Sequence, residues 1–191
     1  MPLTRIKSLG ITDGAIVAAD IASGAITAAK LASGVGGKVL QVVQAVATSA
    51  FSTTSSTLTD ITGMSATITP SSTSNKILIY SVIPHSDGGA SNGYPRFVLL
   101  RGSTQIGLGG SSGSATQDSA APTPNADGFT NSLHNTVSIY LDSPNTTSAT
   151  TYKWQTSVFS SRTEYFFVPS STGDGNAHTA PGTIILMEIA G

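Results

Sequence analysis

MSATITPSSTSNKILIYSVI, residues 64–83, carries two hydrophobic rhythms on either side of one turn. Met64, Ala66 and Ile68 alternate with Ser65, Thr67 and Thr69, the period-two pattern of a strand with one wet face and one buried face. Residues 70–74 are turn chemistry: proline followed by serines and threonine. Residues 75–83 then bring Ile77, Leu78, Ile79, Tyr80, Val82 and Ile83, so both faces of that strand are apolar. The first kind of strand covers a core from one side. The second lies against a second layer, which in an antiparallel protein is often a partner subunit.

The pattern continues outward in both directions. Residues 38–48 are a strand candidate whose apolar run is interrupted by Gln41 and Gln44, so part of it faces solvent or another subunit. Residues 51–62 are Ser/Thr-rich, with Leu58 and Ile61 as apolar points. Residues 96–101, RFVLLR, are apolar on both faces. Residues 136–141 alternate, with Val137, Ile139 and Leu141 read as inward. Tyr152, Trp154, Thr156 and Val158 share a face of the next strand. A short aromatic strand covers 165–168, and TIILMEI at 183–189 closes the chain. Polar connections fill 84–95, 107–134 and 170–182. About eight to ten strands are expected, the count of a jelly roll or sandwich. The fold class is therefore all-β: an antiparallel jelly-roll or β-sandwich knob over residues 38–191.

Composition agrees. Charged residues make up only 10% of the 191, against about 25% in an ordinary soluble domain, and 28 Ser and 26 Thr take their place. Net charge is −1, and the nine Lys and Arg are spread thinly, which argues against nucleic acid as a partner. With no cysteine, disulfides, thiolate metal sites and cysteine nucleophiles are excluded. No stretch approaches the ~20 apolar residues that span a bilayer. Asp13 and Asp20 break the only segment resembling a secretion signal. A soluble chain without membrane insertion is expected.

Residues 1–37 differ in kind. ITDGAIVAADIASGAITAAKLASG, residues 11–34, repeats every ten residues, and Ile6, Ile11, Ile16, Ile21, Ile26 and Leu31 fall every fifth. Five matches neither the helix nor the strand period. Asp13-Gly14, Ser23-Gly24 and Ser33-Gly34 supply turns on schedule. A unit with one large apolar residue cannot bury it alone. A single-chain pentapeptide β-helix and a floppy Ala/Gly-rich leader are alternatives. An extended arm intertwined with other copies, its isoleucines meeting on an axis, fits best. Those six residues are the candidate anchoring and oligomerisation set, and Val35-Gly36-Gly37 reads as the hinge to the knob.

SSTLTDITGMSATITPSSTSNKILI, FVLLRGSTQIGLG, YLDSPNTTSATTYKWQ and the terminal TIILMEIAG resemble the C-terminal domain of bacteriophage fibre proteins. The repeat ITDGAI…IASGAITAAKL resembles the N-terminal arm of the same class. The resemblance covers most of the chain. It implies a homotrimer with a C1q/TNF-like jelly-roll knob, located in the virion and assembled in the host cytoplasm. The arm would meet other virion proteins of tail, collar or capsid. Almost no shaft separates arm from knob, which departs from ordinary fibres.

Residues that carry chemistry are few. Most of the ten acids sit at turn positions beside Gly, Ser or Pro, and no pair can be set across a glycosidic bond. His85, His134 and His178 lie in or beside polar loops and read as exposed loop histidines. No HExxH, GxSxG or Walker-type loop is present. Catalytic residues, metal ligands and cofactors are expected to be none, and the chain is not expected to be an enzyme. Surface recognition remains. Tyr94, Arg96, Phe129, His134 and Tyr165 are the candidate receptor-binding residues, facing a host surface glycan or protein. Three functions are weighed: a trimeric short fibre for host adsorption, a capsid decoration or head-fibre protein, and a polysaccharide depolymerase.

Overall fold

The computed structural model describes residues 16–23, 25–26, 30, 38–87, 95–121, 132–159, 163–173, 175 and 177–191. The chain divides into two units, Met1–Lys38 and Val39–Gly191. In the first, Ala18–Asp20 form a 3-10 turn. Its entrance is closed by the Val17 amide donating to Asp20 Oδ2 at 3.0 Å. Ile16, Ile21 and Ile26 are exposed in the single chain. Ile6, Ile11 and Leu31 lie outside the described residues.

The second unit is two antiparallel sheets packed as a sandwich. Its strands are β1 (Val39–Ala47), β2 (Phe51–Thr53), β3 (Thr59–Ile68), β4 (Lys76–Asp87), β5 (Arg96–Arg101), β6 (Thr104–Ile106), β7 (His134–Asp142), β8 (Thr150–Ser157), β9 (Glu164–Phe166) and β10 (Gly182–Ile189). The six-stranded sheet runs β1-β10-β4-β9-β2, with β7 along the other edge of β4. The four-stranded sheet runs β3-β8-β5-β6. The pairings nest: β1 with β10, β3 with β8, β4 with β7, β5 with β6. The chain thus behaves as one long hairpin folded over on itself. β4 is long enough to hold β10 along residues 76–82 and β9 along 85–87.

The core lies between the sheets. Met64, Ile68, Phe97, Leu99, Tyr152 and Trp154 face Ile77, Ile79, Ile83, Phe166, Ile184 and Leu186, all buried. Ser81 interrupts the apolar inner face of β4 because Trp154 Nε1 donates to its Oγ at 2.9 Å across the core. A buried indole N–H needs such a partner. Gly63 sits at the β-bulge in β3 with φ 87°, and a Cβ there would lie 2.7 Å from Ala47 Cβ. Only glycine serves that approach.

Several expectations change. Residues 84–87, read as part of a polar loop, extend β4. Of the three three-residue strands, β2 and β6 carry no apolar pattern that marks them, while β9 is marked by its aromatic residues. Val137, Ile139 and Leu141 point outward, at 52%, 66% and 48% exposure. The inner face of β7 is Thr136, Ser138, Tyr140 and Asp142. Thr136 and Asp142 join polar networks there, and Tyr140 packs against the core.

Candidate functional site

The outer face of the six-stranded sheet is built in three rows by the strand register. Val42, Met187, Leu78 and Leu141 form one row. Gln44, Ile185, Tyr80 and Ile139 form the next, and Val46, Thr183, Val82 and Val137 the third. No side chain among the twelve is charged. At about 4.8 Å between strands and about 6.8 Å between rows, the patch is on the order of 400 Å². That is the size of the largest patch on a typical monomer, which is often a functional surface. The four-stranded sheet offers nothing similar through β5. Val98 and Leu100, on its second apolar face, are already buried within the chain.

A cleft of about 300 Å³ lies two rows beyond this patch, beside β2 and β9. Its lining includes Tyr165, Ser52 and Pro169.

Inside the sandwich, where β9 follows β10 along β4, His85 Nδ1 meets Glu164 Oε1 at 2.7 Å and His85 Nε2 meets Thr136 Oγ1 at 3.0 Å. This is the hydroxyl–imidazole–carboxylate order of a hydrolase triad. All three side chains are buried, and the imidazole lies against the rings of Phe97 and Phe166. A triad must expose its hydroxyl to a substrate. This one is closed, and it satisfies three buried polar groups. His85 was expected in an exposed loop; it is instead a core residue on a strand. Among the described residues, no three His, Asp or Glu side chains are grouped to hold a metal ion.

Two further carboxylates are structural. Asp142 accepts from Arg101 Nη1 at 2.9 and 3.0 Å and from the Tyr152 hydroxyl at 2.7 Å, bridging β7 to β5 and β8. Burial, with the neighbouring carboxylate, holds the Tyr152 hydroxyl far above its ordinary pKa. Glu188 Oε1 accepts from the Ser71 amide, the Ser71 hydroxyl and Asn75 Nδ2 at 2.6, 2.7 and 2.6 Å. Asp142, Glu164 and Glu188 therefore depart from the turn chemistry expected of most acids: all three are buried on strands.

The sequence-derived recognition residues do not form one site. Arg96 opens β5 and is tied to the segment after β6, donating from Nε to Asp118 at 2.8 Å and from Nη2 to the Gln117 carbonyl at 3.0 Å. His134 opens β7 opposite His85, and its buried Nε2 has no partner among the described residues. Tyr165 stands at the centre of β9, the short aromatic strand expected there, and lines the cleft. Tyr94 and Phe129 lie outside the described residues. The apolar patch was missed at β7 because alternation shows that a strand has two unlike faces, not which one meets the core.

A scan against protein-family models finds no match, and a search of the curated proteins finds none either.

Proposed function

We propose that the chain is a structural protein of a bacteriophage virion. It is a homotrimeric short fibre whose N-terminal repeat arm docks into the particle and whose C-terminal knob faces outward for host adsorption. The knob is a jelly roll, a reading supported by the nested β1/β10, β3/β8, β4/β7 and β5/β6 pairings. The observation that carries the oligomer is the uncharged twelve-residue patch on the outer face of β1, β10, β4 and β7. The virion context rests on the likeness of the repeat and the four knob stretches to phage fibres. In this reading the exposed Ile16, Ile21 and Ile26 are covered by sister arms or by the docking protein.

The capsid decoration reading stays second, supported by one feature: the first knob strand starts at Val39, four residues after the third repeat copy runs out at Val35. A chain without a shaft suits a compact appendage. A depolymerase has less support, because the triad-like group around His85 is closed. Native mass spectrometry of the purified chain tests the oligomer: a trimer at micromolar concentration is expected, and a stable monomer overturns it. Labelled antibody on intact particles tests the location, with tail or collar decoration expected for the fibre and shell decoration for the alternative.

A further inference from the structure

We propose that the cleft beside β9 binds a neutral sugar, one pyranose ring carrying hydroxyls and no charge. Its role in attachment rests on the adsorption reading; its chemistry does not. The cleft, about 300 Å³, is lined by Phe51 and Ser52 of β2, Tyr165 of β9, and Pro169, Ser170 and Thr172 of the segment that follows. That volume is at the small end of ligand sites and suits one ring rather than an extended chain. Tyr165, partly exposed, offers flat apolar contact to the C–H face of a sugar. Ser52 and Thr172 bring hydroxyls that both donate and accept, as sugar hydroxyls require. Among the described residues, the lining holds no acid, base or histidine, and so none of the charged donors that fix a phosphate or carboxylate.

A second observation points to the same place. Phe167, next to β9, has φ 68°. A bulky residue with positive φ is an outlier. The conformation is held by the fully buried ring, by the Phe167 amide donating to the Pro84 carbonyl at 3.0 Å, and by the Ala180 amide donating to the Phe167 carbonyl at 3.1 Å. Strained backbone of this kind concentrates at ligand clamps. Here it directs the chain from β9 into the residues that wall the cleft. The register also sets Ser86, Tyr165 and Ser52 in one row of the outer sheet face, two rows past Val82. A ligand there sits at the border of the apolar patch, not under its centre.

Saturation-transfer NMR on the full chain tests this, with methyl α-glucopyranoside, methyl β-galactopyranoside and N-acetylglucosamine as probes and glucuronic acid as the charged comparator. Transfer to at least one neutral sugar, and weaker transfer to glucuronic acid, is expected. Tyr165→Ala should weaken binding about tenfold or more, while Tyr165→Phe keeps it. Ser52→Trp, at an exposed position, should block the cleft, and it decides the matter if Tyr165→Ala does not melt cooperatively. No transfer to any neutral sugar, equal transfer to glucuronic acid, or unchanged binding in the folded variants overturns the proposal. Phage adsorption is scored separately. Variants that lose the sugar yet adsorb normally leave the site standing and overturn the adsorption role.

Discussion

Glu188 shows how a single carboxylate is kept in an apolar layer. It is nearly inaccessible on the inner face of β10, yet three donors from residues 71 and 75 converge on one of its oxygens. Burial pushes its pKa up, but the hydrogen bonds from Asn75 and Ser71 outweigh burial and hold it below the ordinary 4.5. A group whose folded pKa is depressed contributes stability that is present above its unfolded pKa and lost as pH falls through the folded value. The contribution of Glu188 is therefore complete above about pH 4.5 and fades below it. Glu188→Gln should lower Tm at pH 7, and the gap from the wild type should close as the buffer is taken to pH 3. A gap that stays constant across that range refutes the assignment. The serines and Asn75 were legible as turn residues. Their second task was not, because Ser71 and Glu188 are 117 positions apart. Gly182 is similar at the opposite end of β10: a Cβ there would overlap the Phe167 ring. Gly182→Ala should cost on the order of 1–3 kcal/mol, read from chemical denaturation.

At the level of elements, β4 is the strand on which the six-stranded sheet is assembled, and its far end needs a polar joint. Past Val82 its inner edge passes from β10 to β9. His85, Glu164 and Thr136 tie β4, β9 and β7 there. Removing Glu164 leaves His85 Nδ1 buried without its partner, so Glu164→Ala should cost about 3–5 kcal/mol. The triple change His85→Phe, Glu164→Met, Thr136→Val replaces the whole group with apolar side chains and should cost much less, because no orphaned polar atom remains. A triple variant less stable than Glu164→Ala would mean that the network contributes more than mutual satisfaction of its members. This joint also explains what was readable along the chain. β3, β5 and β8 were legible because their buried faces are apolar, as in Met64-Ala66-Ile68 and Tyr152-Trp154. β7 was readable as a strand but inverted, because its inner face supplies Thr136 and Asp142 to polar networks. Its apolar residues are thus left for the outside.

For the whole molecule, the decisive question is what covers the apolar surfaces that the single chain leaves open. The sandwich follows from strand patterning and was legible. Partners are not, since an exposed isoleucine and a buried one read alike in sequence. The patch on the outer sheet face predicts that Ile139→Lys, at the most exposed of its aliphatic residues, places a cation in each subunit interface. An unpaired buried charge costs several kcal/mol. The variant should therefore appear as a folded monomer in native mass spectrometry, with its β-sheet circular dichroism intact. A variant that stays trimeric removes this face from the interface. The repeat arm makes a separate prediction. Deleting residues 1–37 should leave a folded β protein, since the core residues named above all lie in Val39–Gly191, and should abolish incorporation into particles. Ile21 is the sharper probe, because it lies within the five-residue ladder and is exposed in the isolated chain. Covering such a side chain contributes about 1.5–3 kcal/mol, and three arms around an axis would bury three per layer. Ile21→Asp puts three carboxylates near that axis, where each must remain charged at high cost or take up a proton. Attachment to virions should be lost while the knob stays trimeric with an unchanged Tm. Ser23→Ala should be nearly silent, because a small residue in the repeat need only remain small. Particles that carry the Ile21→Asp protein at normal copy number would show that the ladder faces solvent and that the arm is only a tether.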